Sequence, residues 1–236
     1  MTDSNNNVDL VLPCYNPPIN WSGDLIKNFH DLTAELSEYN FSLIVVNDGS
    51  TRNFNEEVDV VKTAIPNVKI VSYENNMGKG YAVRQGIKQA TCHYSIYTDY
   101  DFPYTTSSIE KVLNKLKENN DVVIGTRNKS YYKALNINRM FFTIGSKVFN
   151  FFILRLKHMD TQGGIKGMSA YGRRFLLQTT INRFLFDTEF IKLASKDKQC
   201  KVKSVFVALK DGVLLPNMGA KVFKSEFKNL LKLIRL

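Results

Sequence analysis

The chain is 236 residues long and 44% hydrophobic, which suits a packed domain and excludes a disordered polar segment. Lysine and arginine outnumber acids by 32 to 22, and the net charge of +10 implies an anionic partner: nucleic acid, a phosphorylated substrate or an acidic membrane surface. Three dispersed cysteines without a C-x-x-C pair, and three scattered histidines, argue against disulfides or structural zinc and for a reducing compartment.

The opening "MTDSNNN" has neither a basic nor an apolar block and reads as a flexible tail over 1–7, not a signal peptide. "VDLVLP" (8–13) reads as the first strand. A helix follows, capped by Ser22, with Leu25, Ile26, Phe29, Leu32 and Leu36 on one face. "FSLIVV" (41–46) is the second strand, a short helix spans 55–64, and "VKIVS" (68–72) is the third strand. A helix over 80–90, a strand "HYSIYT" (93–98), a helix over 106–119 and a strand "DVVIG" (121–125) continue the alternation. Such alternation predicts an α/β fold, a mostly parallel sheet sandwiched by helices.

Beyond 125 the pattern changes. A long helix is expected over about 137–156, then a glycine-rich piece "TQGGIKGMSAYG", a helix near 188–195 and a strand "KVKSVFVAL". The Phe-rich run over 141–156 is interrupted by Lys147 and falls short of the roughly 18 apolar residues of a membrane span. Without repeats or linkers, 8–220 reads as a single domain. In 221–236, Phe223, Phe227, Leu230, Leu231 and Ile234 share a helical face flanked by Lys224, Lys228, Lys232 and Arg235. This basic amphipathic helix can lie on an anionic bilayer or dock on the domain's own core.

Ligands of open parallel sheets bind at the carboxyl ends of strands. Those ends read "PCYNPP", "NDGS", "YENNMGKG", "DYDFPY" and "TRNKS". Asp99 and Asp101 in "DYD" can together hold one hard divalent cation, Mg2+ or Mn2+, shared with substrate phosphates; alternatively Asp101 caps a helix and Asp99 sits in a loop. Asp48 can accept hydrogen bonds from a base or ribose, or cap a turn. Gly78, Lys79 and Gly80 can face an anion at a helix start, or form an ordinary turn. The glycine fingerprints of dinucleotide-binding and P-loop folds are absent.

Taken in order, "VLPCYN", "VVNDGS", "NMGKGYAVRQG", "DYD", "IGTR", "DTQGGIKG" and "FDTEF" resemble family-two glycosyltransferases of the GT-A (Rossmann-like) fold. Within that family the chain looks most like the dolichyl- and polyprenyl-phosphate glucosyltransferases, and the match runs from 8 to about 191. The resemblance implies a metal-dependent, inverting transfer of a hexose, glucose from UDP-glucose, to dolichyl or polyprenyl phosphate. It implies peripheral attachment to the cytoplasmic face of the membrane. Pro13, Tyr15, Asp48, Gly78, Lys79, Arg84, Asp99 and Gln162 are then expected at the nucleotide sugar. Asp99 and Asp101 are expected on Mg2+ or Mn2+, Asp160 at the reaction centre, and Arg127, Arg139 and Thr143 on the acceptor phosphate. The chain departs from the family at Pro17, Tyr100 and Gly163, where an acidic, a small and a cysteine residue are usual, and at Pro103, where some relatives have a polar metal ligand.

A phosphomonoester acceptor is already anionic and needs cations to place it. A sugar hydroxyl needs a general base, for which Asp187 and Glu189 in "FDTEF" are the candidates; as acids at a helix start they also suit a supporting role. The competing readings are a glycosyltransferase acting on a polysaccharide hydroxyl and a catalytically silent nucleotide-sugar-binding module. A haloacid-dehalogenase-like phosphatase would need Thr or Val where Pro103 stands, and no motif supports a nucleic-acid partner.

Overall fold

The computed structural model describes residues 6–127, 145, 147, 150–158, 160–213 and 220–236. In chain order these form β1 (Asn7–Cys14), α1 (Trp21–Glu35), β2 (Asn40–Asp48), α2 (Phe54–Ala64), β3 (Lys69–Tyr73), α3 (Lys79–Lys88), β4 (Tyr94–Tyr97) and α4 (Thr106–Lys117). Then follow β5 (Val122–Arg127), β6 (Lys166–Ser169), α5 (Ala170–Leu177), α6 (Phe186–Lys196), β7 (Val202–Val207) and α7 (Ala220–Arg235).

The strands form one sheet in the order β3-β2-β1-β4-β6-β5-β7. β1, β2, β3 and β4 run parallel, as do β5 and β7, while β6 is antiparallel to both β4 and β5. Alternate residues of β1 and β2 feed the two faces, as a period of two requires. Leu10, Leu12, Leu43 and Val45 pack under α1, α2 and α4, with Leu25, Leu32, Val61 and Leu113. Val11, Ile44 and Val46 pack under α3, α5 and α6, with Val83, Leu176 and Phe190. The chain reverses its winding between β1 and β4, so the crevice at their carboxyl ends is the topological switch point.

Several expectations are corrected. Asn20, at φ 65°, caps α1 and Ser22 lies inside the helix. The carboxylate of Glu57 on α2 accepts the N–H groups of Asn20 (2.7 Å) and Ser22 (3.0 Å), so a neighbouring helix supplies the acceptor that the first turn needs. β5 extends past Gly125 to Arg127. The glycine-rich piece hides β6, whose four residues Lys-Gly-Met-Ser carry no strand pattern. Most of the helix expected over 137–156 lies outside the described residues; 145, 147 and 150–152 are helical.

α7 docks on the domain. Leu233 is fully buried, Leu230 packs beside it, and the Lys192 ammonium of α6 donates to the Leu233 carbonyl at 2.5 Å. Leu231 and Ile234 stay exposed. The apolar face is therefore split between core and solvent at this end of the helix; the side chains of Phe223 and Phe227 lie outside the described residues.

Candidate active site

Strand register assembles the site. Lys166 at the start of β6 stands opposite both Tyr97 of β4 and Ile124 of β5. β4 and β5 both run against β6, so they end at the edge where β6 begins. The turn over 160–165 is thereby wedged between the two strand ends, with "DYD" on one side and Arg127 on the other.

The "DYD" side is a tight turn in which Phe102 N–H donates to the Asp99 carbonyl at 3.1 Å. Phe102 is 2% exposed and holds a left-handed φ of 48°, a costly conformation for a bulky residue, maintained by core packing. Tyr100 also packs against the α1–α4 core, where burial and the neighbouring Cys14 push its phenol up to about 12. Its size is thus accommodated away from the crevice. Asp101 reaches the surface, and partial desolvation together with the Asp99 charge raises its carboxyl above the ordinary range. Lys79, at the first turn of α3, donates to Asp99 Oδ1 at 2.5 Å. Burial works to lower the Lys79 ammonium, but the charges of Asp99, Asp187 and Asp101 outweigh it and leave it raised.

These residues fit a divalent cation. Asp99 already holds a positive group, the Lys79 ammonium, and two carboxylates on one turn suit Mg2+ or Mn2+ completed by phosphate oxygens. Among the described residues no three His, Cys, Asp or Glu side chains gather, so the protein offers a shared site, not a cage.

On the other side of the turn, Asp160 is 4% exposed and clasped by Arg127. Arg127 Nε donates to both Asp160 oxygens at 3.0 and 2.9 Å, Nη2 donates to Oδ1, and the backbone N–H donates to Oδ2 at 3.1 Å. Burial alone would raise the Asp160 carboxyl; the Arg127 bonds and charge outweigh it and hold it below the usual carboxylate range. Lys147 Nζ stands 3.8 Å from Asp160 Oδ2. Gln162 is half-buried in the same turn. Arg139 and Thr143 lie outside the described residues.

Two glycines let the turn fit. A Cβ at Gly163 would lie 2.0 Å from the Gly125 carbonyl oxygen, which excludes the usual cysteine at this position. A Cβ at Gly164 would lie 2.9 Å from Asp99 Oδ2, and Gly164 N–H donates to the Tyr104 hydroxyl at 2.6 Å.

Other expected residues have structural employment. Asp48 is buried and accepts from the Tyr73 hydroxyl (2.8 Å), Asn76 Nδ2 (2.9 Å), Met77 N–H (2.8 Å) and Gly78 N–H (2.9 Å). It shapes the loop before α3. Gly80 N–H donates to the Asn182 carbonyl at 2.8 Å, so with Gly78 already bound the start of α3 points into protein rather than at an anion. Arg84 is buried and donates to Thr179 Oγ1 (3.1 Å), the Ile181 carbonyl (2.8 Å) and Asn182. Glu189 accepts from Thr180 N–H, Thr180 Oγ1 and Ile181 N–H at 2.7–2.8 Å, anchoring the same segment. Asp187 accepts from the Tyr97 hydroxyl at 2.5 Å and is ion-paired with Lys166. Both base candidates are therefore buried and engaged. Pro13 is buried in β1, and Tyr15 stands half exposed just beyond that strand.

Lys166 was not expected. It is fully buried, donates to the Gly163 carbonyl at 2.5 Å as well as to Asp187, and burial lowers its ammonium against the opposing pull of Asp187. A lysine among glycines and apolar residues in "GGIKGM" is the signal that marks it.

The model of glycosyl transferase family 2 matches residues 9–179. The chain belongs to this family. Among curated family-two relatives, it is 27% identical to a dolichyl-phosphate beta-glucosyltransferase of Dictyostelium discoideum over 203 residues, covering 80% of this chain and 62% of that protein. An uncharacterised protein of Methanocaldococcus jannaschii is 30% identical, with 78% of this chain and 82% of that one covered. Of solved structures, the glucosyl-3-phosphoglycerate synthase of Mycobacterium tuberculosis, in complex with Mn2+, UDP and phosphoglyceric acid, superposes with TM-score 0.61 at 13% identity, covering 99% of this chain and 78% of that one. A Pyrobaculum calidifontis mannosyltransferase, in complex with GDP-Man and Mn2+, gives TM-score 0.61 at 16% identity, covering 97% and 64%. These likenesses establish the GT-A fold.

Proposed function

We propose that this family-two glycosyltransferase moves a hexose, glucose from UDP-glucose, onto the phosphate of a dolichyl or polyprenyl lipid, with inversion. The observation that carries the reading is the pairing of unlike sites across the 160–165 turn. A carboxylate turn suited to a metal–diphosphate lies on one side and Arg127 lies on the other. Engagement of Asp187 and Glu189 in buried hydrogen bonds favours an acceptor that needs no base. The relatives named dolichyl-phosphate beta-glucosyltransferases support the same sugar and acceptor.

In this reading, Asp99 and Asp101 would hold Mg2+ or Mn2+, and Lys79 would exchange its Asp99 contact for a phosphate oxygen of the donor. A bound ion would supply positive charge that stabilises the departing diphosphate. Arg127 orients the acceptor phosphate, one of whose oxygens bonds to the anomeric carbon from the face opposite the leaving group. The bond from that carbon to the diphosphate oxygen breaks, and UDP leaves. No proton need be removed from the acceptor at neutral pH. Gln162 and Asp160 frame the sugar.

We place the reaction at the cytoplasmic membrane surface. No described helix is long and apolar enough to cross a membrane. Exposed Phe151, Phe152 and Ile153, with Leu231 and Ile234 of basic α7, supply apolar and cationic surface for a bilayer.

The test is a label-transfer assay with detergent-dispersed polyprenyl phosphate, Mg2+ or Mn2+ and a panel of labelled nucleotide sugars. Metal-dependent label in the organic extract is expected, greatest with UDP-glucose. Label appearing only on soluble saccharides would replace the lipid phosphate by a hydroxyl acceptor. Metal-dependent UDP binding without any turnover would mark a silent module.

A further inference from the structure

Gly164 is where the two halves of the site touch. A Cβ there would lie 2.9 Å from Asp99 Oδ2 and 3.0 Å from the Tyr104 hydroxyl, so a bare α-carbon is what fits between them. The Gly164 N–H donates to that hydroxyl at 2.6 Å, shorter than is usual for a bond from nitrogen to oxygen. Tyr104 belongs to the same stretch of chain as the carboxylates, three residues after Asp101. It is buried, and its backbone is pinned on both sides. Pro103 has a ring-fixed φ, and its carbonyl accepts the Lys210 N–H at 2.8 Å. Tyr104 itself bridges Leu209, and Thr105 N–H donates to the Ala208 carbonyl at 3.2 Å. The hydroxyl therefore carries a fixed position across to Gly164. Other holds on the 160–165 turn come from elsewhere. Arg127 of β5 clasps Asp160, and Lys166 of β6 holds the Gly163 carbonyl while paired with Asp187 of α6. Those contacts tie the turn to β5 and α6; Tyr104 ties it to the carboxylate turn.

We infer that Tyr104 is a positioning residue, whose hydroxyl sets the distance between the donor sugar and the acceptor phosphate. The inference rests on the proposed transfer and deepens it. In that reaction Asp99 and Asp101 place the donor and Arg127 places the acceptor. Attack needs the reacting atoms held about 3–3.5 Å apart and in line. A rigid link between the two placements acts on their encounter, not on either binding step. Loss of the hydroxyl should therefore lower kcat and leave both affinities in place. A loosened gap also admits water, which competes with the acceptor. A water oxygen then bonds to the anomeric carbon, the bond to the diphosphate oxygen breaks, and glucose, UDP and a proton are released.

Wild type, Tyr104→Phe and Tyr39→Phe would be compared with labelled UDP-glucose and a short-chain prenyl phosphate. UDP affinity would be measured by calorimetry, and free glucose separated from lipid-linked glucose. Tyr39 is the control, a buried tyrosine outside the site whose hydroxyl donates to Asn114 Oδ1 at 3.1 Å. Each variant loses one hydrogen bond, so both should melt about 2–4 °C below wild type. Tyr104→Phe alone should lose kcat, by about 10- to 100-fold, with UDP affinity and acceptor KM within about twofold of wild type. Its ratio of free to lipid-linked glucose should rise. A kcat and product ratio equal to wild type in Tyr104→Phe would overturn the inference and leave the proposed reaction standing. A loss carried by acceptor KM or UDP affinity, or shared by Tyr39→Phe, would mark a binding or a general folding effect and overturn it too. A wild type that binds UDP but transfers nothing to the prenyl phosphate would overturn both.

Discussion

Lys166 and Tyr97 face each other across the β4–β6 register and share one carboxylate, that of Asp187. The same ammonium holds the Gly163 carbonyl, and so fixes the turn that separates Asp99 from Arg127. A buried charge network thus sets the spacing of the two halves of the site. Removing Lys166 alone leaves the buried Asp187 carboxylate without its ion-pair partner and held by the Tyr97 hydroxyl. Lys166→Met should therefore destabilise the protein by about 3–5 kcal/mol, read by urea denaturation. Adding Asp187→Leu should recover part of that loss. A single mutant as stable as wild type would show that the pair does not hold the fold.

Gly163→Ala should also loosen this turn. With a Cβ 2.0 Å from a backbone oxygen, the turn must move, at a cost of about 1–3 kcal/mol. Gly23→Ala serves as the control. That position lies within α1 and a Cβ there meets nothing within 4 Å, so the change should stabilise by about 0.5–1 kcal/mol. Thermal denaturation of both variants decides it, and a neutral Gly163→Ala would show that the turn can adjust.

Asp101→Asn should abolish sugar transfer and weaken UDP binding in Mg2+ or Mn2+ while leaving metal-free UDP binding almost unchanged. Because partial desolvation and Asp99 raise the Asp101 carboxyl, its neutral form persists to higher pH than for an ordinary aspartate. Metal-enhanced UDP affinity should accordingly begin to fall, on acidification, above the ordinary carboxylate range of about 4. Calorimetric titration from pH 7 to 4 measures this, and a fall that begins only below that range would count against Asp101 as ligand.

Asp160 has the opposite sign. Its folded-state pKa is depressed, so its contribution to stability is fully present above the unfolded value of about 3.9 and is lost as pH falls toward the folded value. Asp160→Asn should lower stability at pH 7 and flatten the acid limb of the stability curve. Parallel curves for mutant and wild type below pH 5 would disprove the linkage.

The two faces of α7 can be separated. Leu233→Asp buries a charge and should unfold or strongly destabilise the domain. Leu231→Asp with Ile234→Asp alters exposed positions, and should reduce sedimentation with anionic vesicles while leaving the melting temperature within a degree or two. Undiminished vesicle binding would confine α7 to a structural role.

The sequence by itself determined the layered fold. Strand–helix alternation and strand-end chemistry depend on local periodicity, and seven motifs in order pointed to the family. It also placed "DYD" at a strand end, because an apolar run and the residues after it are read from one stretch of chain. Tertiary structure decided what each polar residue does. In the linear text Asp48 and Arg84 are candidates for the nucleotide sugar and Glu189 for a general base or a supporting role; the fold adds hydrogen bonds from them to protein groups between 8 and 98 positions away. β6 escaped notice because four residues carry too little pattern, and it is the antiparallel strand whose register brings Asp99, Gly164 and Arg127 to one edge. A one-dimensional pattern specifies which residues are buried; only long-range pairing specifies whether a buried charge finds its partner in the protein or awaits one from solvent.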